Sequence, residues 1–256
     1  MEKLLEINQV NLTYQSKTNE TVAIDNLNIE IFPKEFVSIV GPSGCGKTTI
    51  LSMIAGLLRP TSGKILVSGN EISKPTSTTA YMFQRDNLFE WLTIRKNAEL
   101  GLTIQKKKTK ENISYCNKLL DKYGLGDFKK HLPRQLSGGM RQRAALIRTL
   151  ATSPKLLLLD EPFSALDYQT RLIVQDDVHK IIKDEEKTAI LVTHDISEAI
   201  AMSDRVIILT KRPGKVKTIV DLDFKKELTP FERRNEPHFH EYFTKIWEEL
   251  KNEETY

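Results

Sequence analysis

The stretch that decides the fold is Phe36-Val37-Ser38-Ile39-Val40-Gly41-Pro42-Ser43-Gly44-Cys45-Gly46-Lys47-Thr48-Thr49. Its first five residues are uncharged and mostly bulky and apolar, which reads as a buried strand. That strand runs straight into glycines, and Thr48–Leu57 follows with the spacing of a helix that stops before Arg59-Pro60. Gly41 to Thr48 fits G-x-x-x-x-G-K-[ST], in the strand–turn–helix context that the pattern requires. The glycines let backbone N–H groups curl around an anionic phosphate. Lys47 brings a positive charge to the β and γ oxygens, and Thr48 offers a hydroxyl to Mg2+. The competing reading is a glycine-rich turn that binds nothing, and the register of strand and helix argues against it.

Working outward, Leu156–Leu159 is an apolar strand that ends in Asp160-Glu161. Alone, two such carboxylates would be an acidic turn capping a helix. Beside a phosphate loop, the first can hold Mg2+ through water and the second can polarise an attacking water. Apolar alternation in Leu4–Tyr14 and Thr21–Ile31 predicts two early strands around a polar turn, Gln15–Glu20. Lys64–Val67 and Ala80–Gln84 read as further short strands. Ile94–Gln105, Glu111–Tyr123 and Met140–Thr152 have helical spacing. Alternation then returns: Tyr168–Lys183 is a helix, Ala189–Thr193 a strand, Ser197–Ser203 a helix and Arg205–Thr210 a strand. Strands separated by helices imply an α/β fold with a mostly parallel sheet covered on both faces. A helical insert interrupts it between about residues 90 and 152.

The composition excludes several classes. With 256 residues, 39% hydrophobic and 28% charged, the chain is long enough to bury a core without staples, and it is not disordered or collagen-like. No apolar run approaches the ~18 residues of a membrane span, and the amino terminus lacks the features of a signal peptide. The two cysteines, Cys45 and Cys116, show no metal-site or disulfide spacing, which suits a reducing cytosol. A formal charge of +4 is no nucleic-acid signature by itself. His238 and His240, at i and i+2, face apart on a helix, and Lys106–Lys110 reads as a solvated basic loop.

At Leu136-Ser137-Gly138-Gly139-Met140-Arg141-Gln142-Arg143 the chain resembles the signature of the ATP-binding-cassette (ABC) ATPases. The resemblance covers about residues 2–220 and implies a P-loop NTPase (RecA-like) core with an N-terminal antiparallel β part and an inserted helical subdomain. It implies ATP and Mg2+ as ligands. Gly41, Pro42, Ser43, Gly44, Cys45, Gly46, Lys47, Thr48 and Thr49 would cradle the phosphates, and Tyr14 would stack on adenine. Thr48, Gln84 and, through water, Asp160 would serve Mg2+. Glu161 would be the catalytic carboxylate, with the switch residue His194 as well as Gln84 and Lys47 in the catalytic set. Ser164-Ala165-Leu166-Asp167 matches the D-loop. Ser137, Gly138 and Gly139 open a helix and so form an anion site with a hydroxyl attached. In the family, that site and Asp167 serve the ATP held by a second copy, in a head-to-tail dimer.

Gln84 to Asn97 narrows the resemblance. Its tryptophan before Leu92-Thr93 is similar to the nitrate/sulfonate/taurine importer ATPases, whose relatives include thiamine-precursor systems. Lys211-Arg212-Pro213-Gly214-Lys215 fits the same group, while Glu90 departs from it, standing where those relatives usually carry proline. The resemblance implies integral membrane permease subunits as partners, an extracytoplasmic solute-binding protein acting indirectly, and a peripheral place on the cytoplasmic membrane face. No nucleic-acid partner is expected. DNA-repair members need a long coiled coil and translation factors need two cassettes; a stand-alone role such as cofactor assembly is the alternative. The expected ABC ATPase domain spans residues 1–230. A helical tail, 231–256, follows, with Phe239, Phe243, Ile246, Trp247 and Leu250 on one apolar face that docks on the cassette or on a dimer partner.

Overall fold

Two kinds of strand build two sheets in this computed structural model, which describes residues 2–15 and 19–254. Residues 16–18, in the expected turn between the first two strands, lie outside the described residues. Strands β1 (Leu5–Gln15) and β2 (Glu20–Ile31) bury one face and expose the other, and they pair antiparallel from Leu5–Ile31 to Gln15–Glu20. With β4 (Ser62–Val67) and β5 (Asn70–Glu71) they form a sheet of order β2-β1-β4-β5. Strands β3 (Phe36–Val40), β7 (Leu156–Asp160) and β8 (Thr188–Val192) are buried at every position, as strands covered on both faces must be. With β6 (Thr79–Met82), β9 (Arg205–Leu209) and β10 (Val216–Asp221) they make a second sheet, β10-β9-β3-β8-β7-β6. It is parallel except for β10, which pairs antiparallel with β9.

Helix α1 (Lys47–Ile54) fills the space between the two sheets. The insert contributes α2 (Ile94–Ala98), α3 (Leu100–Ile104), α4 (Lys110–Lys122) and α5 (Gly138–Leu150), which pack with α6 (Tyr168–Asp184) on the other face of the parallel sheet. A third core gathers α7 (Ile196–Met202), β9, β10 and α9 (Pro237–Glu254), with the short α8 (Pro230–Arg233) between β10 and α9. Ile246 of α9 is wholly buried there, with Phe239, Tyr242, Phe243 and Leu250 packed around it, whereas Trp247 stays half exposed.

The structure departs from the sequence reading at several elements. The single helix expected over 94–105 is two short ones that meet at Glu99. The Glu99 carboxylate turns inward and is held by Arg95 at 2.7 Å and Lys108 at 2.9 Å, so part of the basic loop is committed to an ion pair. Gly101 then lets α3 approach α5, since a Cβ there would lie 2.5 Å from the Thr152 methyl. Strands β5 and β10 and helix α8 went unread because each is short or half polar.

Candidate nucleotide site

The phosphate loop, Asp160-Glu161, His194 and Gln84 all follow the carboxyl-terminal edge of the parallel sheet, where α/β folds place their ligands. Leaving β3, the chain turns through Gly41–Gly46 into α1. Gly46 has φ 107°, a conformation glycine adopts without strain, and its side-chain-free position caps α1 with no competing hydrogen bond. A Cβ there would press on the Ile24 side chain at 2.6 Å. The first-turn N–H groups of α1 are therefore left for an anion. Lys47 is nearly buried, and its Nζ donates to Gly41 O at 2.7 Å and Pro42 O at 3.0 Å, holding the ammonium over the loop. The Cys45 thiol is buried beneath the loop, and burial pushes its pKa up, so it is packing rather than a reactive group.

Below the loop, the Thr48 hydroxyl donates to Asp160 Oδ1 at 3.1 Å and the Tyr81 hydroxyl to Asp160 Oδ2 at 2.9 Å. Burial raises the Asp160 pKa above the ordinary carboxylate value, against the pull of those two donors. Burial, then the charge of Asp160, raises that of Tyr81. Among the described residues no cluster of three or more His, Cys, Asp or Glu could hold a metal alone. A hydroxyl and one carboxylate side by side suit Mg2+, which keeps several waters and takes its other oxygens from phosphate.

One residue on, Glu161 sits at φ 45°, a conformation that costs a non-glycine residue energy and is held by its neighbours. Its N–H donates to Val192 O at 2.9 Å, and its own carbonyl accepts from Ser164 Oγ at 3.0 Å. That twist points Oε2 to within 3.1 Å of His194 Nδ1, just beyond β8. Gln84, beyond β6, donates to the same Ser164 Oγ at 3.2 Å. Tyr14, near the end of β1, is half exposed, with its hydroxyl 3.4 Å from Thr49 Oγ1 over the first turn of α1.

Ser137, Gly138 and Gly139 stand apart. Ser137 caps α5, its Oγ accepting from Met140 N at 3.4 Å, so the helix opens at Gly138, two residues earlier than expected. Gly138 faces Leu166 and Gly139 faces Val174, with room for no side chain at Gly139. Asp167 caps α6 by accepting from Thr170 N at 3.1 Å, and the Thr170 hydroxyl, then this N–H, lower its pKa. Among the described residues, no hydrogen bond links 137–139 to 41–49 of the same chain.

The segment after Gln84 is held more firmly than its sequence suggests. Arg141 of α5 grips Asp86 with Nε at 2.8 Å and Nη2 at 3.1 Å, and Nη2 also reaches Glu90 at 2.7 Å. Arg148 donates to the carbonyls of Asp86 and Asn87. Buried Asn97 accepts from Phe89 N and donates to the carbonyls of Phe89, Leu92 and Thr93. Leu88 is core, but Phe89 and Trp91 stack at 4.8 Å in the open, with Trp91 74% exposed. Glu90, standing where the resemblance implies proline, is joined to α5 by an exposed ion pair with Arg141. Tyr81, Asn97, Arg141 and Gly214 were missed by sequence reasoning. Gly214 bridges to Ile24 and lies against the Cys45 carbonyl, too close for any Cβ, so it backs the phosphate loop from behind.

Fold and site together define a P-loop ATPase of the nucleotide-binding-cassette class, with ATP and Mg2+ as its ligands. Residues 24–164 match the ABC transporter family, and the chain belongs to it. It is 47% identical to an uncharacterized ABC transporter ATP-binding protein of Bacillus subtilis, over 97% of this chain and 96% of that one. It is 40% identical to the nitrate import ATP-binding protein of a Synechocystis strain, over 98% and 96%. A solved ATP-binding cassette, dimeric in a post-hydrolysis state with ADP and Pi, superposes with a TM-score of 0.71 at 31% identity, covering 86% of this chain and all of that one. No helix among the described residues is long and apolar enough to cross a membrane.

Proposed function

We propose that this chain is the ATP-hydrolysing subunit of an importer, working as a head-to-tail homodimer around two ATP on the cytoplasmic face of the membrane. It couples hydrolysis to uptake of a small solute of the nitrate, sulfonate, taurine or thiamine-precursor type through a permease, and acts indirectly with an extracytoplasmic binding protein. The observation that carries this reading is the open Phe89–Trp91 stack, an apolar docking point on a segment that Arg141 ties to the helix opened by Ser137. A relative named as a nitrate import protein supports the same direction.

In this reading Lys47 and the N–H groups around Gly44–Thr48 bind the phosphates, and Tyr14 stacks on the base. Thr48, Gln84 and, through water, Asp160 would hold Mg2+, which would offset negative charge on the phosphates. Glu161 accepts a proton from the attacking water, and His194, within 3.1 Å, orients that carboxylate toward the γ-phosphate. Ser137, Gly138 and Gly139 complete the site of the partner copy, because among the described residues they make no hydrogen bond to their own loop and still present helix N–H groups to an anion. Asp167 lies at the same seam.

Purification of the tagged protein from mild-detergent membranes tests the importer reading. A permease and a binding protein should come with it, and Trp91→Glu should lose both while keeping ATP binding; ribosomes or assembly factors in their place would overturn it. The dimer is tested by mixing. Ser137→Arg and Lys47→Ala should each be inactive alone, and together they should regain activity, since one site of the heterodimer carries neither lesion. A fully active Ser137→Arg monomer would refute the shared site.

A further inference from the structure

At the opposite edge of the parallel sheet from the nucleotide loops, a cleft of about 760 Å3 opens between the cassette core and the carboxyl-terminal segment. That lies within the range of sites for small molecules. Its walls come from places far apart in sequence: Phe36 at the start of β3, Leu222 and Phe224 after β10, Ile182 of α6 and Arg233 of α8. The lining includes His179, more than nine-tenths buried, whose ring nitrogens have no hydrogen-bond partner among the described residues and whose ring lies 5.9 Å from that of Phe36. Burial, then the charges of Arg233 and Lys183, hold this imidazole neutral, its pKa lowered to about 3.

The charges of the lining do not cancel. Glu35 is paired with Arg205 at 2.7 Å, Glu186 with Lys34 at 2.6 Å, and Asp204 accepts from Phe36 N at 2.8 Å. Asp223 is left as a carboxylate on the rim. Against these, Lys183 and Lys226 make no ion pair among the described residues, and Lys187 meets only Ser153 Oγ at 3.4 Å. Arg233 is almost wholly buried. It gives its Nη1 to the carbonyls of Ala201 and Ser203, lies over the Phe224 ring at 5.5 Å, and makes no direct ion pair among the described residues, although it feels the charge of Asp204. Glu35 and Glu186 are spent on ion pairs, whereas Asp204, bonded to a neutral N–H, and Asp223 keep their charge against the more numerous Lys183, Lys187, Lys226 and Arg233. Apolar rings stand beside them, together with an imidazole that has no hydrogen-bond partner among the described residues.

We propose that this cleft binds a small organic anion built on a flat ring. The ring lies against Phe36, Leu222 and Phe224, and the anionic group takes the N–H of His179 and the charges of Lys183, Lys226 and Arg233. The site is separate from the nucleotide site, since residues of β3 lie between the two edges at about 3.3 Å each. It does not depend on the transport reading.

Two fluorescent probes on one scaffold test this with the full chain: 8-anilinonaphthalene-1-sulfonate and the uncharged N-phenyl-1-naphthylamine. The sulfonate should bind saturably, one per chain, at least tenfold tighter than the neutral probe, and a saturating non-hydrolysable ATP analogue should not displace it. Lys183→Glu with Lys226→Glu, both at exposed positions, should weaken the sulfonate at least tenfold and leave the neutral probe unchanged. His179→Phe, which keeps the packing and removes the N–H, should weaken the sulfonate severalfold with an unaltered circular dichroism spectrum. Equal affinity for the two probes, displacement by the nucleotide, or an unchanged affinity in the double variant would overturn the proposal.

Discussion

Replacing Tyr81 by Phe removes one oxygen from the wall of the nucleotide site and keeps the ring, which packs on Phe83 at 4.5 Å. The lost atom donates to Asp160 Oδ2 at 2.9 Å. A hydrogen bond to a charged, buried group contributes about 1.5–3 kcal/mol. All of it favours the ionised carboxylate, so its loss raises the Asp160 pKa by about 1–2 units, at about 1.36 kcal/mol per unit. Burial already sets that pKa above the ordinary value, so the change moves it closer to the working range. A protonated Asp160 cannot hold the water shell of Mg2+. The acid limb of kcat/KM for MgATP should therefore move upward by about 1–2 pH units in Tyr81→Phe, while activity at pH 8 stays within about threefold of the parent. The assay is phosphate release from pH 5 to 8.5 at fixed free Mg2+. A loss of equal size at every pH, with the limb unmoved, would refute the reasoning and make Tyr81 a packing residue.

Three further outcomes are expected. Glu161→Gln should bind ATP normally and lose at least a hundredfold in turnover, as the removal of a positioned base does, and its ATP-bound dimer should persist in size exclusion; near-normal turnover would place the base elsewhere. Glu198 of α7 is buried, and burial followed by the charge of Asp195 pushes its pKa up to about 8. The native state thus keeps a proton that the unfolded chain releases near pH 4.5, so this group's contribution to stability is full below that value and falls as pH rises to about 8. Glu198→Gln should flatten the decline of Tm between about pH 5 and 8, and an unchanged slope there would contradict the assignment. Arg141→Ala should cut permease-stimulated ATPase far more than Glu90→Ala. The first loses a two-pronged, half-buried grip on Asp86, and the second loses only an exposed pair of about 0.2–1 kcal/mol.

What could be read from the sequence was whatever is contiguous in it. The phosphate loop carries its strand, its turn and its helix within one stretch of chain, and Asp160-Glu161 end a strand that is apolar throughout. Tyr81 is different. It bonds Asp160 because β6 and β7 run parallel with Tyr81 beside Leu158, two residues and one pleat before the carboxylate. Nothing within four residues of Tyr81 hints at that. Arg141 and Glu90 lie on different elements, and their pairing follows only once α5 is packed against the segment after β6. The helix read over 94–105 is interrupted only at Glu99, where the backbone stays helical and bonds Arg95 O and Thr103 N–H; what the spacing did not show is the pairing of its carboxylate with Lys108, outside that window. The tail face packs as its spacing predicts except at its margin, where Trp247 stays half in solvent and the Tyr242 hydroxyl oxygen accepts from Asp223 N–H.

The hairpin between β9 and β10 is the sort of surface turn at which a tag or a foreign loop is usually grafted without harm. Here that choice would misfire. Gly214 N donates to Ala23 O, Gly214 O accepts from Asp25 N, and the residue leans on the carbonyl of Cys45, so one turn is stitched at once to the antiparallel sheet and to the back of the phosphate loop. An insertion there would be transmitted to the curvature of the loop that holds the nucleotide. Reporter groups belong elsewhere on this molecule, and length variation at this hairpin, tolerable for the strands it joins, is set by the needs of a loop some 170 residues earlier in the chain.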